Sequence, residues 1–163
     1  MIDESDVQTI KSSLKRASGE AFSYPLGRHN SLLVDILEVL VPLRVPNSVL
    51  IYVQDRVNRL SIFERGVLEQ LGVPRIIGVQ LADIVLYQPQ SNKLYFIYAV
   101  NRFGPLFKRR KDETEALLGC CSVERVYVSV VYNRSDYGLY APFIAWGSQV
   151  WMAQIPDHVV CHI

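Results

Sequence analysis

Two groups of residues in this 163-residue sequence could do chemistry. Asp83 opens a β-rich run, and carboxylate oxygen is a ligand type that Mg²⁺ prefers in proteins. Lys108, Arg109, Arg110 and Lys111 follow one another at the predicted start of a helix, where free N–H groups and cations together favour phosphate. Both patterns have plainer interpretations: Asp83 could cap a turn at a strand edge, and the basic run could be a solvated helix face.

The composition is that of a folded globular chain with no strong overall charge. Half of the residues are apolar or aromatic, one fifth are charged, and the net charge is +1, so any signal for a nucleic-acid partner must be local. No apolar stretch approaches the ~20 residues of a membrane span, and the acidic N-terminus lacks the apolar segment of a signal peptide. The three cysteines, of which Cys120 and Cys121 are adjacent, suit neither a disulfide framework nor zinc. We therefore expect a cytoplasmic setting and no membrane association.

The order of predicted elements indicates an α/β domain with a mixed β-sheet flanked by helices. Helical spacing predicts a short helix over 6–17 and a second one from Asn30 or Ser31, stopped by Pro42 and Pro46. The other elements follow from β-rich runs, helical spacing and turn residues: a strand over 48–54, a helix over 62–71, a hairpin of 81–87 and 93–100, a helix over 108–118, a strand over 125–132, a helix over 136–144 and a strand over 149–153.

Particular segments, and not only this order, resemble the BsuBI/PstI family of restriction endonucleases. They are Gly27–Asn30, Leu81–Tyr87, Leu94–Val100 with Gly104-Pro105, Phe143–Trp146, Val150–Ala153 and Pro156-Asp157-His158. The resemblance implies a restriction-endonuclease-like PD-(D/E)XK core in a single domain over 1–163. Residues 1–23 would be an N-terminal helical extension and 24–163 the core, with no counterpart of the family's N-terminal recognition region.

The resemblance also implies where a metal site would lie and how this chain departs from it. Asp83 falls at the family's first metal ligand and Tyr98 at its second acid. Strand alternation places Leu94, Phe96 and Tyr98 on one face. A phenol with a pKa of ~10 is neutral at pH 7, so a full negative charge is lost. Four further family positions have also changed, to Ser31, Gln80, Phe103 and Gln149.

We therefore expect a catalytically degenerate nuclease domain that needs no cofactor. It would act as a DNA-binding or structural subunit, with a protein partner, in a defence or nucleic-acid-processing assembly. Phosphate contacts are expected from a basic cluster: Arg28, Arg102, Lys108, Arg109, Arg110 and Lys111. Tyr98, Phe103 and Phe107 could form an exposed patch for a partner, whereas Trp146 and Trp151 are expected to be core residues.

Two alternatives stay open from the sequence. The chain could be an active Mg²⁺-dependent endonuclease with a rearranged site, in which Asp83 works with a migrated acid such as Asp55, Glu38 or Glu113. In that interpretation Lys108 or Lys111 is the cationic partner. The other alternative is a protein-interaction module with neither DNA affinity nor catalysis.

Overall fold

The protein is described by a computed structural model that covers residues 7–16, 21–27, 31–55, 60–63, 69–72, 82–100, 106–118 and 122–162. The strands in these ranges are β1 Val7–Arg16, β2 Ala21–Gly27, β3 Val49–Asp55, β4 Leu60–Phe63, β5 Ile84–Gln88, β6 Lys93–Ala99, β7 Glu124–Val131, β8 Ser148–Met152 and β9 Val159–His162. The helices are α1 Ser31–Asp35, α2 Val41–Arg44, α3 Lys108–Leu117 and α4 Arg134–Tyr140; a π-helical turn, Ile36–Leu40, joins α1 to α2, and a 3₁₀ turn, Ala141–Phe143, follows α4.

One mixed sheet contains all nine of the described strands, in the order β2-β1-β3-β5-β6-β7-β8-β9, with β4 paired to β3. The pair β5–β6 is antiparallel, and its turn uses Asn92 at a positive φ of 53°. The pairs β6–β7 and β7–β8 are parallel, with α3 and α4 in the connections. The predicted α/β class, the mixed sheet and its central hairpin are therefore confirmed.

Helices cover both faces of this sheet because the central strands are apolar on both sides. The segment from α1 to α2 packs Ile36, Leu37 and Leu40 against one face, together with Ile97 and Trp151. On the other face a second cluster includes Leu94, Phe96, Tyr98 and Tyr127, and it is closed by Leu106 and Leu118 at the two ends of α3. In the described ranges no helix has the length and apolar character that spanning a bilayer requires.

The predicted helix over 6–17 is wrong, because Val7–Arg16 forms strand β1. Its backbone pairs antiparallel with β2 and parallel with β3 at Lys15 and Arg16. Local helical spacing is a weak signal over so short a segment, and inter-strand hydrogen bonds override it. Backbone pairing shows that this segment is a strand, but it does not test the proposed division into an N-terminal extension over 1–23 and a core over 24–163. That division stays a prediction.

Three smaller differences concern element ends. Residues 60–63 form β4, so the helix predicted over 62–71 cannot begin at 62; Glu69 and Gln70 are helical and Gly72 ends the turn at φ 83°. The second helix continues past Pro42 and ends at Arg44. The π turn before it bonds the Val41 N–H to the Ile36 carbonyl, so Pro42, which has no N–H, lies in the first turn of α2, where a proline is tolerated. Strand β9 was not predicted; it pairs antiparallel with β8.

The β6 core allows a direct test of this architecture. Ile97→Ala should lower the free energy of unfolding by about 2–5 kcal/mol, because Ile97 is fully buried beneath α1 and α2 and its truncation leaves a cavity. Leu139→Ala is the control, since Leu139 is 69% exposed and its truncation should change stability by less than about 0.5 kcal/mol. Urea unfolding gives both values, and equal midpoints for the two variants would contradict the described packing.

Candidate functional site

The face on which Tyr98 lies is set by the pairing of β6. Tyr98 faces the α3 side of the sheet and Ile97 and Ala99 face the α1 side, so the alternation predicted for this strand is confirmed. Tyr98 is completely buried. The expected exposed patch of Tyr98, Phe103 and Phe107 is therefore wrong in its central member, because α3 covers the ring; Phe107 is 39% exposed and Phe103 lies outside the described residues.

Asp83 lies directly before β5 and extends its pairing with β6. Its N–H donates to the Ile97 carbonyl at 3.0 Å, and its Oδ2 accepts a hydrogen bond from the Ala99 N–H at 2.8 Å. Asp83 thus bonds to the backbone on either side of Tyr98, through its own N–H to Ile97 and through its half-buried carboxylate to Ala99. This geometry is what the plainer interpretation, an aspartate that caps a strand edge, requires, and it engages one of the two oxygens a metal ion would use.

The phenol of Tyr98 is a neutral group in this structure. Burial raises the pKa of Tyr98 to about 12, and the negative charge of Asp83 acts in the same direction, while the positive charge of Arg110 opposes the rise. Thr114 lies nearby, but its hydroxyl donates to the Arg110 carbonyl at 2.8 Å. Within the described residues the Tyr98 hydroxyl has no hydrogen-bond partner. A buried polar group without a partner costs free energy, so Tyr98 is not placed here by polar complementarity.

Two of the four cations of the basic run point into this site. The Arg110 guanidinium lies 4.5 Å from the centre of the Tyr98 ring, and the Lys111 amine lies 5.3 Å from the centre of the Tyr127 ring. Tyr127 in turn stacks on Phe96 at 5.4 Å. Such cation–π contacts contribute about 0.5–2 kcal/mol each, more as they are desolvated. Arg110 and Lys111 therefore fasten α3 to the sheet.

The other two cations, Lys108 and Arg109, point outward. Lys108 bonds Asp112 at 2.7 Å and Arg109 bonds Glu113 at 3.0 Å, each one turn along the helix. Their side chains are 83% and 91% exposed. The predicted basic cluster is thus divided between two directions, and its members Arg28 and Arg102 lie outside the described residues.

The acids considered as migrated ligands are not gathered around Asp83 as far as the structure describes them. Glu38 belongs to the π turn that packs on the opposite face of the sheet, and Glu113 is engaged by Arg109. Asp55 ends β3, two residues beyond Val53, whose partner across the strands is Ile84. The backbone of Asp55 is therefore close to that of Asp83, but its side chain lies outside the described part, so its role stays a prediction.

The described side chains do not fit a Mg²⁺ site. Mg²⁺ needs oxygen ligands in octahedral geometry and usually at least one or two carboxylates. No group of three His, Cys, Asp or Glu side chains that could hold a metal ion occurs in the described ranges. Gln149, which the sequence resemblance predicts to stand at a changed family position, accepts a hydrogen bond from the Trp151 indole at 3.2 Å, and Trp151 belongs to the cluster on the α1 face. At Tyr98 itself the cation of Arg110 lies 4.5 Å from the ring centre and would repel a metal ion.

Residues 12–162 match the family model of the BsuBI/PstI restriction endonuclease domain. The chain belongs to the BsuBI/PstI restriction endonuclease family. It is 31% identical over 153 residues to the type II restriction enzyme BsuBI of Bacillus subtilis, a match that covers 94% of this chain and 48% of that enzyme. The solved structure of the SdaI restriction endonuclease matches it with a TM-score of 0.83 and 24% identity, over 98% of this chain and 49% of that one. At that identity the likeness shows the restriction-endonuclease-like fold alone. The chain spans about half the length of both relatives.

The covering of Tyr98 by Arg110 was missed from the sequence, although helical spacing contained a signal. Arg110, Thr114 and Leu118 are four residues apart and so share one side of α3. Thr114 and Leu118 are both buried, which draws Arg110 toward the sheet. The order of residues 108–111 along the chain suggests one basic surface, whereas the helix turns two of these side chains inward and two outward.

The raised pKa of Tyr98 predicts an effect at alkaline pH. The unfolded phenol ionises with a pKa of ~10, and the folded one at about 12. The contribution of the neutral phenol to stability is therefore complete below ~pH 10 and is lost as pH rises through 12. Tyr98→Phe removes this loss, so at pH 11 the variant should have lost about 1 kcal/mol less than the unmodified protein. Urea unfolding at pH 8, 9, 10 and 11 measures it, with Tyr140→Phe, which removes a half-buried phenol, as the control. Parallel pH curves for the unmodified protein and Tyr98→Phe would contradict the assignment.

Proposed function

We propose that this chain is a catalytically degenerate restriction-endonuclease-like domain that acts as a DNA-binding or structural subunit. One observation carries the proposal: Tyr98, at the position of the family's second acid, is completely buried with the Arg110 guanidinium 4.5 Å above its ring. The relatives BsuBI and SdaI are named as restriction endonucleases, which makes an ancestral nuclease site the natural origin of this position.

Electrostatics support the loss of catalysis. A nuclease of this class uses a divalent cation to activate water and to stabilise the charge that develops on the phosphate oxygens. Here the charge of Asp83 acts in a site that already contains the guanidinium cation of Arg110. One retained carboxylate, one neutral phenol and one fixed cation leave little net negative charge with which to hold Mg²⁺.

Binding of DNA is the activity that the outward cations favour. Lys108 and Arg109 are both more than four fifths exposed on the first turn of α3. Their ion pairs with Asp112 and Glu113 are exposed to solvent and therefore weak, so a phosphate could replace the carboxylates at small cost. Such contacts give salt-dependent affinity without reading sequence.

The setting is part of the same proposal. We place the domain in a cytoplasmic assembly with a protein partner, in defence or nucleic-acid processing, by analogy with its family. Cys161, which is free and exposed on β9, suits a reducing compartment.

A second candidate function is an active Mg²⁺-dependent endonuclease with a rearranged site. The observation that favours it is the end of β3 beside β5, which brings the backbone of Asp55 near that of Asp83. In this alternative Asp55 would supply the second carboxylate and the lysines of α3 a cation.

A cleavage assay separates these two candidates. Supercoiled plasmid incubated with the purified protein and either Mg²⁺ or Mn²⁺ should stay uncut over hours, because the second acid is missing. Asp83→Asn and Asp55→Asn are the matched controls, since each removes a charge and keeps the shape of the side chain. Cleavage that either variant abolishes would refute the degenerate site and establish the rearranged one.

Duplex binding tests the outward cations. The affinity for a 20-base-pair duplex should fall steeply as salt is raised. In the double variant Lys108→Ala with Arg109→Ala, the slope of log K against log[salt] should become shallower by about one unit for each phosphate that is no longer neutralised. Lys93→Ala is the control, because Lys93 pairs with Glu124 at the opposite end of β6 from Tyr98. Fluorescence anisotropy at four salt concentrations gives the slopes. An unchanged slope in the double variant would show that Lys108 and Arg109 do not contact the DNA phosphates. Absence of binding at the lowest salt would favour the alternative of a protein-interaction module.

A further inference from the structure

The two tryptophans of this chain have opposite environments. Trp151 is 2% exposed in the sheet, as predicted, whereas Trp146 is 71% exposed, so its predicted place in the core is wrong. Trp146 lies in the turn between the 3₁₀ segment and β8, where Gly147 has the positive φ of 77° that such a turn needs. A single exposed apolar side chain is ordinary, so Trp146 becomes informative only if other exposed rings lie in the same region.

The position of the Trp146 ring is held from one side. Its centre lies 5.9 Å from that of the His162 ring, and His162 is itself bonded to the Tyr137 hydroxyl at 2.9 Å. The Gly147 N–H also donates to the His162 carbonyl. The rest of the indole is exposed, which leaves a pre-arranged flat surface for stacking.

Further exposed aromatic rings lie beside Trp146 because two chain segments meet there. Phe107 and Ile144 form an antiparallel bridge, and the Ala145 N–H donates to the Leu106 carbonyl at 2.9 Å. Phe107 and Phe143, on the two segments, are 39% and 60% exposed. The bridge therefore brings three exposed aromatic side chains from distant parts of the sequence into one region.

Cations lie among these rings. Lys108 follows Phe107 directly along the chain, and its side chain is 83% exposed. The Lys111 amine is 3.6 Å from the point that a Cβ on Gly147 would occupy, directly beside the turn of Trp146. We call these five residues the aromatic–basic surface: Phe107, Lys108, Lys111, Phe143 and Trp146.

We propose that the aromatic–basic surface binds unpaired nucleotides, with bases stacked on Trp146 and Phe143 and phosphates near the exposed Lys108. Lys111, whose amine stays over the Tyr127 ring, adds positive charge beside the turn of Trp146 without contacting the phosphates itself. Proteins that bind single strands combine these two features: aromatic faces for the bases and a cationic track for the backbone. A protein-binding patch would instead be expected to be depleted of lysine, so the interleaved cations favour nucleic acid. This inference rests on the proposed DNA-binding function and adds to it a surface and a strand state.

The experiment uses the natural contrast between the tryptophans. A single-stranded oligonucleotide of twenty thymidines, added at low salt, should quench the fluorescence of the exposed Trp146 and leave that of the buried Trp151. Trp146→Leu and Phe143→Leu keep an apolar side chain but remove the stacking face, so each should weaken binding about five- to tenfold by fluorescence anisotropy. Leu139→Ala is the matched control, because it removes another exposed apolar side chain that has no ring.

The outcomes distinguish this inference from the function on which it rests. Selective weakening of oligonucleotide binding by the two leucine variants, with Leu139→Ala unchanged, supports it. Unchanged duplex and oligonucleotide binding in Trp146→Leu overturns the surface while leaving the proposed DNA-binding function intact. Absence of binding to either nucleic acid overturns both. Oligonucleotide binding that falls equally in all three variants overturns the inference. A change of oligomeric state in Trp146→Leu, measured by analytical ultracentrifugation and without oligonucleotide binding, also overturns it and assigns the surface to protein contacts.

Discussion

The pairing of strand β6 with β5 on one side and β7 on the other is the constraint on which the rest of this structure depends. Because both neighbours are hydrogen-bonded in register, every residue of β6 has a fixed face. Tyr98 must therefore point toward α3, and the Asp83 carboxylate meets the backbone at Ala99. A slip of one residue in the register of β6 would place Tyr98 against α1 and separate it from Arg110. The contacts of this site are therefore determined by the strand register of the sheet.

Helix α3 then divides one run of cations between two tasks. Arg110 and Lys111 lie over aromatic rings of the sheet, while Lys108 and Arg109 reach solvent. The inward pair gives the helix its attachment, which its short apolar side would otherwise supply weakly, and the outward pair is available to an anionic partner. A basic run along the chain is therefore not equivalent to a basic surface, because about 100° of helical rotation separates neighbours.

The central hairpin, β7 and α3 could be predicted because their β-rich runs, turn residues and helical spacing agree with their tertiary environment. Strand β1 could not, since its pairing with β2 and β3 is non-local and outweighs a weak helical pattern. Asp83 and Tyr98 were identified by kinship with a family, and the face of Tyr98 was identified by strand alternation. What kinship could not supply was Arg110 above the Tyr98 ring or Trp146 in solvent, because both depend on how separate segments meet in three dimensions.

The complete burial of Tyr98 also has a consequence for mutational history. A carboxylate introduced at this position by substitution would enter a dry site beneath a guanidinium, and the two would form an internal ion pair. The new acid would thus be neutralised by Arg110 before it could serve any other cation. An acid at this single position would therefore lower stability without creating a metal site, and α3 would have to repack before such an acid could bind a metal ion.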